Sequence, residues 1–113
     1  MSRSEDRIRE ALISRRVIRV VFKGPRGRDV TLWFFHGVER DYFMLPYSFC
    51  TCHDYLINVA SRRSKTMCYH LASLKRAIEA GAYRDIRTDP STAREILLEV
   101  IVSGASPTLR KLL

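Results

Sequence analysis

Four residues constrain this chain more than any others. Cys50, Cys52, Cys68 and His70 are set as Cys-x-Cys, fifteen residues, then Cys-x-His, and they include every cysteine present. Three thiolates and one imidazole form a complete tetrahedral donor set for zinc. Residues i and i+2 of an extended segment point to the same side, so Cys50 and Cys52 present two sulfurs together. Cys68 and His70 are expected to present the second pair where a helix begins. Four protein donors leave no coordination position for water, so the expected cofactor is one structural Zn2+ per chain. Other readings compete. A redox pair is more often Cys-x-x-Cys, an odd cysteine count does not suit a disulfide framework, and buried thiols beside a surface histidine are the plain alternative. His53 rivals His70, but position i+1 points away from the i, i+2 pair. Asp54 either orients a ligand or, as preferred, caps the helix that follows.

The flanking sequence predicts an α+β fold: a small antiparallel β-hairpin or three-stranded sheet, then the zinc finger, then C-terminal helices. "SEDRIREALISRR" reads as a helix capped by Ser4. "RVIRVVFK" (16–23) and "DVTLWFFHG" (29–37) are rich in strand formers and flank the turn "GPRGR". "RDYFMLPY" gives a third strand ending near Pro46. "HDYLINVASRR" reads as a short helix with Tyr55, Leu56, Val59 and Ala60 inward. Residues 68–81 form a second helix closed by Gly81. In "STAREILLEVIVSG", Ala93, Ile96, Leu97, Val100 and Ile101 follow helical spacing, and Ser106 and Pro107 start one more turn. Leu109, Leu112 and Leu113 are read as packing. The organisation is one domain, 1–113, with an N-terminal helix (1–16), the zinc-finger unit (17–81) and a C-terminal helical segment (89–113).

A net charge of +8, with 16 Arg against 4 Lys, favours a polyanionic partner. Arg26, Arg28, Arg62, Arg63, Lys65, Lys75 and Arg76 are the candidate nucleic-acid contacts, for single- or double-stranded DNA. A solvated face with local ion pairs is the equal alternative. Trp33, Phe34, Phe35, Tyr42 and Phe43 are read as core. Leu98 and Val102 exceed what one helix face requires, leaving them for a partner or a homodimer through the C-terminal helix. The sequence lacks Gln and has one Asn, a depletion of thermolabile amides that suits a hot-living source. No apolar leader or membrane-spanning run is seen, so the expected compartment is the cytoplasm. No Ser–His–Asp set, glycine-rich phosphate loop or carboxylate pair points to an enzyme.

The Cys-x-Cys…Cys-x-His order, after a β-hairpin and leading into a helix, resembles the SWIM zinc-finger family over about Val17 to Gly81. Asp54-Tyr55 after the first pair and "CYHLA" at the second strengthen the likeness. The resemblance implies Cys50, Cys52, Cys68 and His70 as zinc ligands. For a small stand-alone member it implies a role in homologous recombination and DNA repair beside a RecA-type recombinase paralogue. Ser73 departs from the family, whose recombination-linked members usually place Ala three residues after the ligand histidine. A small basic DNA-binding transcriptional regulator is the alternative reading.

Overall fold

The first strand, β1 (Val17–Lys23), is buried on both faces: Val17 and Val21 point one way, with Arg19 half-buried between them, Ile18 and Val20 point the other, and all four apolar residues are buried. A strand apolar on both sides needs cover on both. The structure, a computed structural model, describes residues 3–63 and 66–113, with side chains from residue 5 onward. In it, β1 lies inside a five-stranded sheet in the order β4-β3-β2-β1-β5. The other strands are β2 (Asp29–His36), β3 (Asp41–Leu45), β4 (Phe49–Cys50) and β5 (Arg84–Arg87). Strand β5 pairs with β1 in parallel, and the remaining pairs are antiparallel.

Helices α1 (Arg3–Ile13) and α2 (Tyr69–Ala80) serve one core, where Ala11, Leu71, Leu74 and Ala77 meet Val17, Phe35 and Met44. Helices α3 (Pro90–Ser103) and α4 (Pro107–Leu112) serve a second, where Ala93, Ile96, Val100 and Leu109 meet Ile18, Val20 and Phe34. Each fully buried Leu or Ile contributes about 1.5–3 kcal/mol through burial.

The fold class is the expected α+β, with a sheet larger than the sequence indicates. Strands β4 and β5 are the additions. In β5 only Ile86 is even half-buried, and Arg84, Asp85 and Arg87 are exposed. A charged edge strand shows no apolar alternation and blocks further pairing. Helix α3 opens on Asp89, which accepts a 2.9 Å hydrogen bond from the Thr92 amide, with Pro90 in the first turn. Gly104 closes α3 at φ 77°. Helix α1 already begins at Arg3, so Ser4 lies within it; the Ser4 side chain, with its expected cap, is outside the described residues.

Residues Tyr55–Ser61 form a π-helix rather than an amphipathic α-helix, and none of them is buried. Asp54 makes no side-chain cap; its Oδ1 accepts instead from Asn58 Nδ2 at 2.8 Å. On α3, Ile101 is 56% exposed rather than inward, and Leu112 on α4 is 45% exposed while Leu109 is fully buried.

A polar bolt joins the C-terminal helices to the sheet. Asp41, 1% exposed, bonds to His36 Nδ1 at 2.7 Å, the Ser106 amide at 2.8 Å and Arg110 Nε at 3.2 Å. Arg110 also donates to the carbonyls of Gly37 and Val38 at 3.2 Å. No described helix is long and apolar enough to cross a membrane.

Candidate metal centre

Strand β4 delivers the first sulfur. Cys50 is fully buried at its end, opposite Met44 of β3. Cys52 follows in the bend before the π-helix, 4% exposed. Cys68 is the N-cap of α2, and its Sγ accepts from the Leu71 amide at 3.4 Å. His70, in the first turn of α2, brings Nδ1 to 3.9 Å from Cys50 Sγ. One donor atom from each of the four residues lies within 4.8 Å of the other three. Donors on a tetrahedron around zinc, at roughly 2.3 Å for sulfur, stand about 3.8 Å apart. The widest pair therefore needs about 1 Å of closure, within the reach of side-chain rotation. The cluster can hold one metal ion.

The surroundings fit a thiolate-rich site. Backbone amides donate to two of the sulfurs, Tyr55 to Cys52 at 3.3 Å and Leu71 to Cys68. Such donors favour the charged form of the group that accepts them. The thiols also act on one another. Hydrogen bonding with Cys50, then Cys68, drives Cys52 far below the ordinary thiol range. The same contact with Cys52, then with Cys68, followed by burial, drives Cys50 far above it. At Cys68 the contact with Cys50 pulls down, but the contact with Cys52 and burial outweigh it, and the thiol is pushed up to about 11. Crowding thus disfavours charging all three thiols at once without a cation. A coordinated divalent cation deprotonates bound thiols outright, so the donor set fits zinc. Rings orient the imidazole: Tyr42 stands 4.3 Å and Phe35 4.5 Å from His70, centroid to centroid.

His53 is exposed and outside the cluster. Ser73 is fully buried, and its hydroxyl donates to the Tyr69 carbonyl at 2.9 Å. It is a small core residue of α2 and touches no ligand directly in the bonds it makes.

Among the described residues, the basic hairpin tip lies apart from the cations of α2. Arg26 and Arg28 sit at the exposed β1–β2 tip, beyond the Lys23–Asp29 pair. Helix α2 packs at the opposite end of β1, where Val17 pairs with Phe35. Seven strand residues separate the two ends, roughly 20 Å. Arg62 and Arg63 follow the π-helix, and Lys75 lies on α2; all three are exposed. Arg76 is tied to Glu5 by two bonds of 2.8 and 2.9 Å. Lys65 lies outside the described residues.

Sequence reasoning missed the rings around His70 and the Asp41 bolt. Neither has a local signal, because the partners come from distant segments. The aromatic expectation holds for Phe34 and Phe35, which are buried, while Trp33, Tyr42 and Phe43 are half-buried. No family model, curated protein or solved structure matches the chain.

Proposed function

We propose that this protein is a non-catalytic, zinc-stabilised accessory factor that works by binding nucleic acid, a protein partner, or both. One observation carries the reading: three buried cysteines and a half-buried histidine converge in one cluster. Bound zinc would be held by Cys50, Cys52, Cys68 and His70 and would supply cross-linking rather than chemistry, because all four positions are filled by protein. Zinc held in this way contributes about 10–16 kcal/mol to folding in small peptides, comparable with the roughly 5–15 kcal/mol that stabilises a whole domain.

The Cys-x-Cys…Cys-x-His likeness to SWIM fingers supports a place in homologous recombination and DNA repair beside a RecA-type recombinase paralogue. The net charge of +8 supports direct contact with DNA. Among the described residues, Arg62, Arg63 and Lys75 are exposed cations on the finger side, and Arg76 is paired with Glu5. Single-strand binding by the zinc-loaded protein, measured by fluorescence anisotropy against salt, tests the reading. Affinity is expected to fall with salt by a log–log slope of about −0.7 per phosphate contact. The double variant Arg62→Glu, Arg63→Glu should lower both affinity and slope. Binding that ignores salt and both substitutions would overturn the DNA part of the proposal.

A further inference from the structure

Helix α3 buries one face and leaves another apolar. Ala93, Ile96 and Val100 are buried, whereas Leu98, Ile101 and Val102 are 50%, 56% and 80% exposed. At about 100° per residue, Arg94, Leu97, Leu98 and Ile101 share one flank, and Glu95 and Glu99 fall on the other. A cavity lies at each end of the apolar flank. Toward the start of α3, about 510 Å³ is walled by Phe22, Leu32, Leu97 and Pro90, with Lys23 and Arg94 beside them. Toward its end, about 550 Å³ has a mostly polar lining, with Arg40, Asp41, Thr51 and His53 beside Tyr42 and Ile101. Arg94 and Gly104 bracket this stretch, about 15 Å along the axis.

The charge around the flank is one-sided. Nearby carboxylates are engaged internally: Asp29 with Lys23 and Arg87, Asp89 at the α3 cap, Asp41 in the bolt, and Glu99 with Ser106 and Thr108. Among the described residues, the Arg94 and Arg40 guanidinium groups have no hydrogen-bond or ion-pair partner, although the Arg40 carbonyl accepts from the Gly37 amide at 2.8 Å. The first cavity therefore couples apolar walls to the Arg94 guanidinium with no carboxylate in its lining, and the second sets Arg40 among polar groups whose carboxylate, Asp41, is already held by His36, Ser106 and Arg110. Arginine in that setting is built for a carboxylate from outside.

We propose that this flank of α3 docks an acidic protein segment that places one apolar anchor side chain in the first cavity and a carboxylate against Arg40 in the second. Going beyond the zinc and DNA reading, the proposal does not depend on it. A second copy suits the flank poorly. Self-complementary pairing across a twofold axis would set Arg94 against Arg40 on a chain already at +8. Nucleic acid also suits it poorly, because base stacking needs open aromatic faces and the first cavity is walled by Leu, Pro and a half-buried Phe22.

The test is selection of random 16-residue peptides displayed on phage against the zinc-loaded full chain. Enriched peptides are expected to combine Asp or Glu with an apolar anchor position. Each of Arg94→Glu, Arg40→Glu and Leu98→Ser, all at exposed positions, should weaken the selected peptides about tenfold or more, while leaving single-strand DNA binding unchanged. Absence of an acidic-and-apolar consensus would overturn the proposal. So would equal binding to the three variants, displacement of the peptides by single-stranded DNA, or a dimer in sedimentation that Leu98→Ser dissociates.

Discussion

A carboxylate that is 1% exposed has to be answered by donors on every side, and Asp41 is. Removing one member of a buried charged network leaves the others unpaired, which costs about 3–5 kcal/mol. Arg110 is a third exposed, so solvent screening reduces the figure, and Asp41→Ala is expected to cost about 2–3 kcal/mol by urea unfolding. Ser73 is a different case. Its hydroxyl bonds back to the preceding turn of its own helix, an arrangement that slightly disfavours helix. Ser73→Ala should therefore change stability by less than about 1 kcal/mol, and a larger loss would show that the hydroxyl has a further partner. The contrast marks what a sequence reveals. Cys50, Cys52, Cys68 and His70 were legible because their chemistry is rare and their spacing is local. Asp41 was not, because Ser106 and Arg110 lie 65 and 69 residues away.

At the scale of elements, apolar periodicity located the buried strands and the buried faces of α2 and α3. It failed where an element has no apolar side of its own. Strand β5 is held by backbone pairing with β1 and by charge: Arg19 pairs with Asp85, and Arg87 reaches across to Asp29 of β2. Hydrogen bonding to Arg87, then Lys23, holds Asp29 down to about 2. Because the folded value lies below the ordinary 3.8, this group supports the fold above pH 3.8 and loses its contribution as pH falls through about 2. A carboxyl NMR titration of Asp29 should report that low midpoint, and Arg87→Ala should move it up toward 3.8. The π-helix also escaped detection, since Leu56 and Ile57 look apolar in sequence yet stand 46% exposed. The end of α3 offers another check. Gly104 sits at φ 77°, and a Cβ there would meet Arg40 Nη1 at 2.9 Å. Gly104→Ala should lower stability by about 1 kcal/mol in thermal or urea unfolding.

The whole molecule is a sheet with two cores, and the metal cluster belongs to only one of them. Cys50, Cys52 and Cys68 pack with Phe35, Met44, Leu71 and Leu74 on the α1–α2 face. The α3–α4 face is filled by side chains without any of the four donors. Metal loss should therefore act first on β4, the π-helix and α2, and the α3–α4 half should keep more of its amide protection. Hydrogen exchange with and without chelator reads this directly. The most direct test of the account is metal content measured together with melting. Purified under reducing conditions, the protein should carry one zinc per chain. Stripping it with a strong chelator, or replacing Cys68 by Ala, should abolish binding and lower the melting temperature sharply. A metal-free chain that melts at the same temperature would contradict the claim that these four donors hold a structural ion.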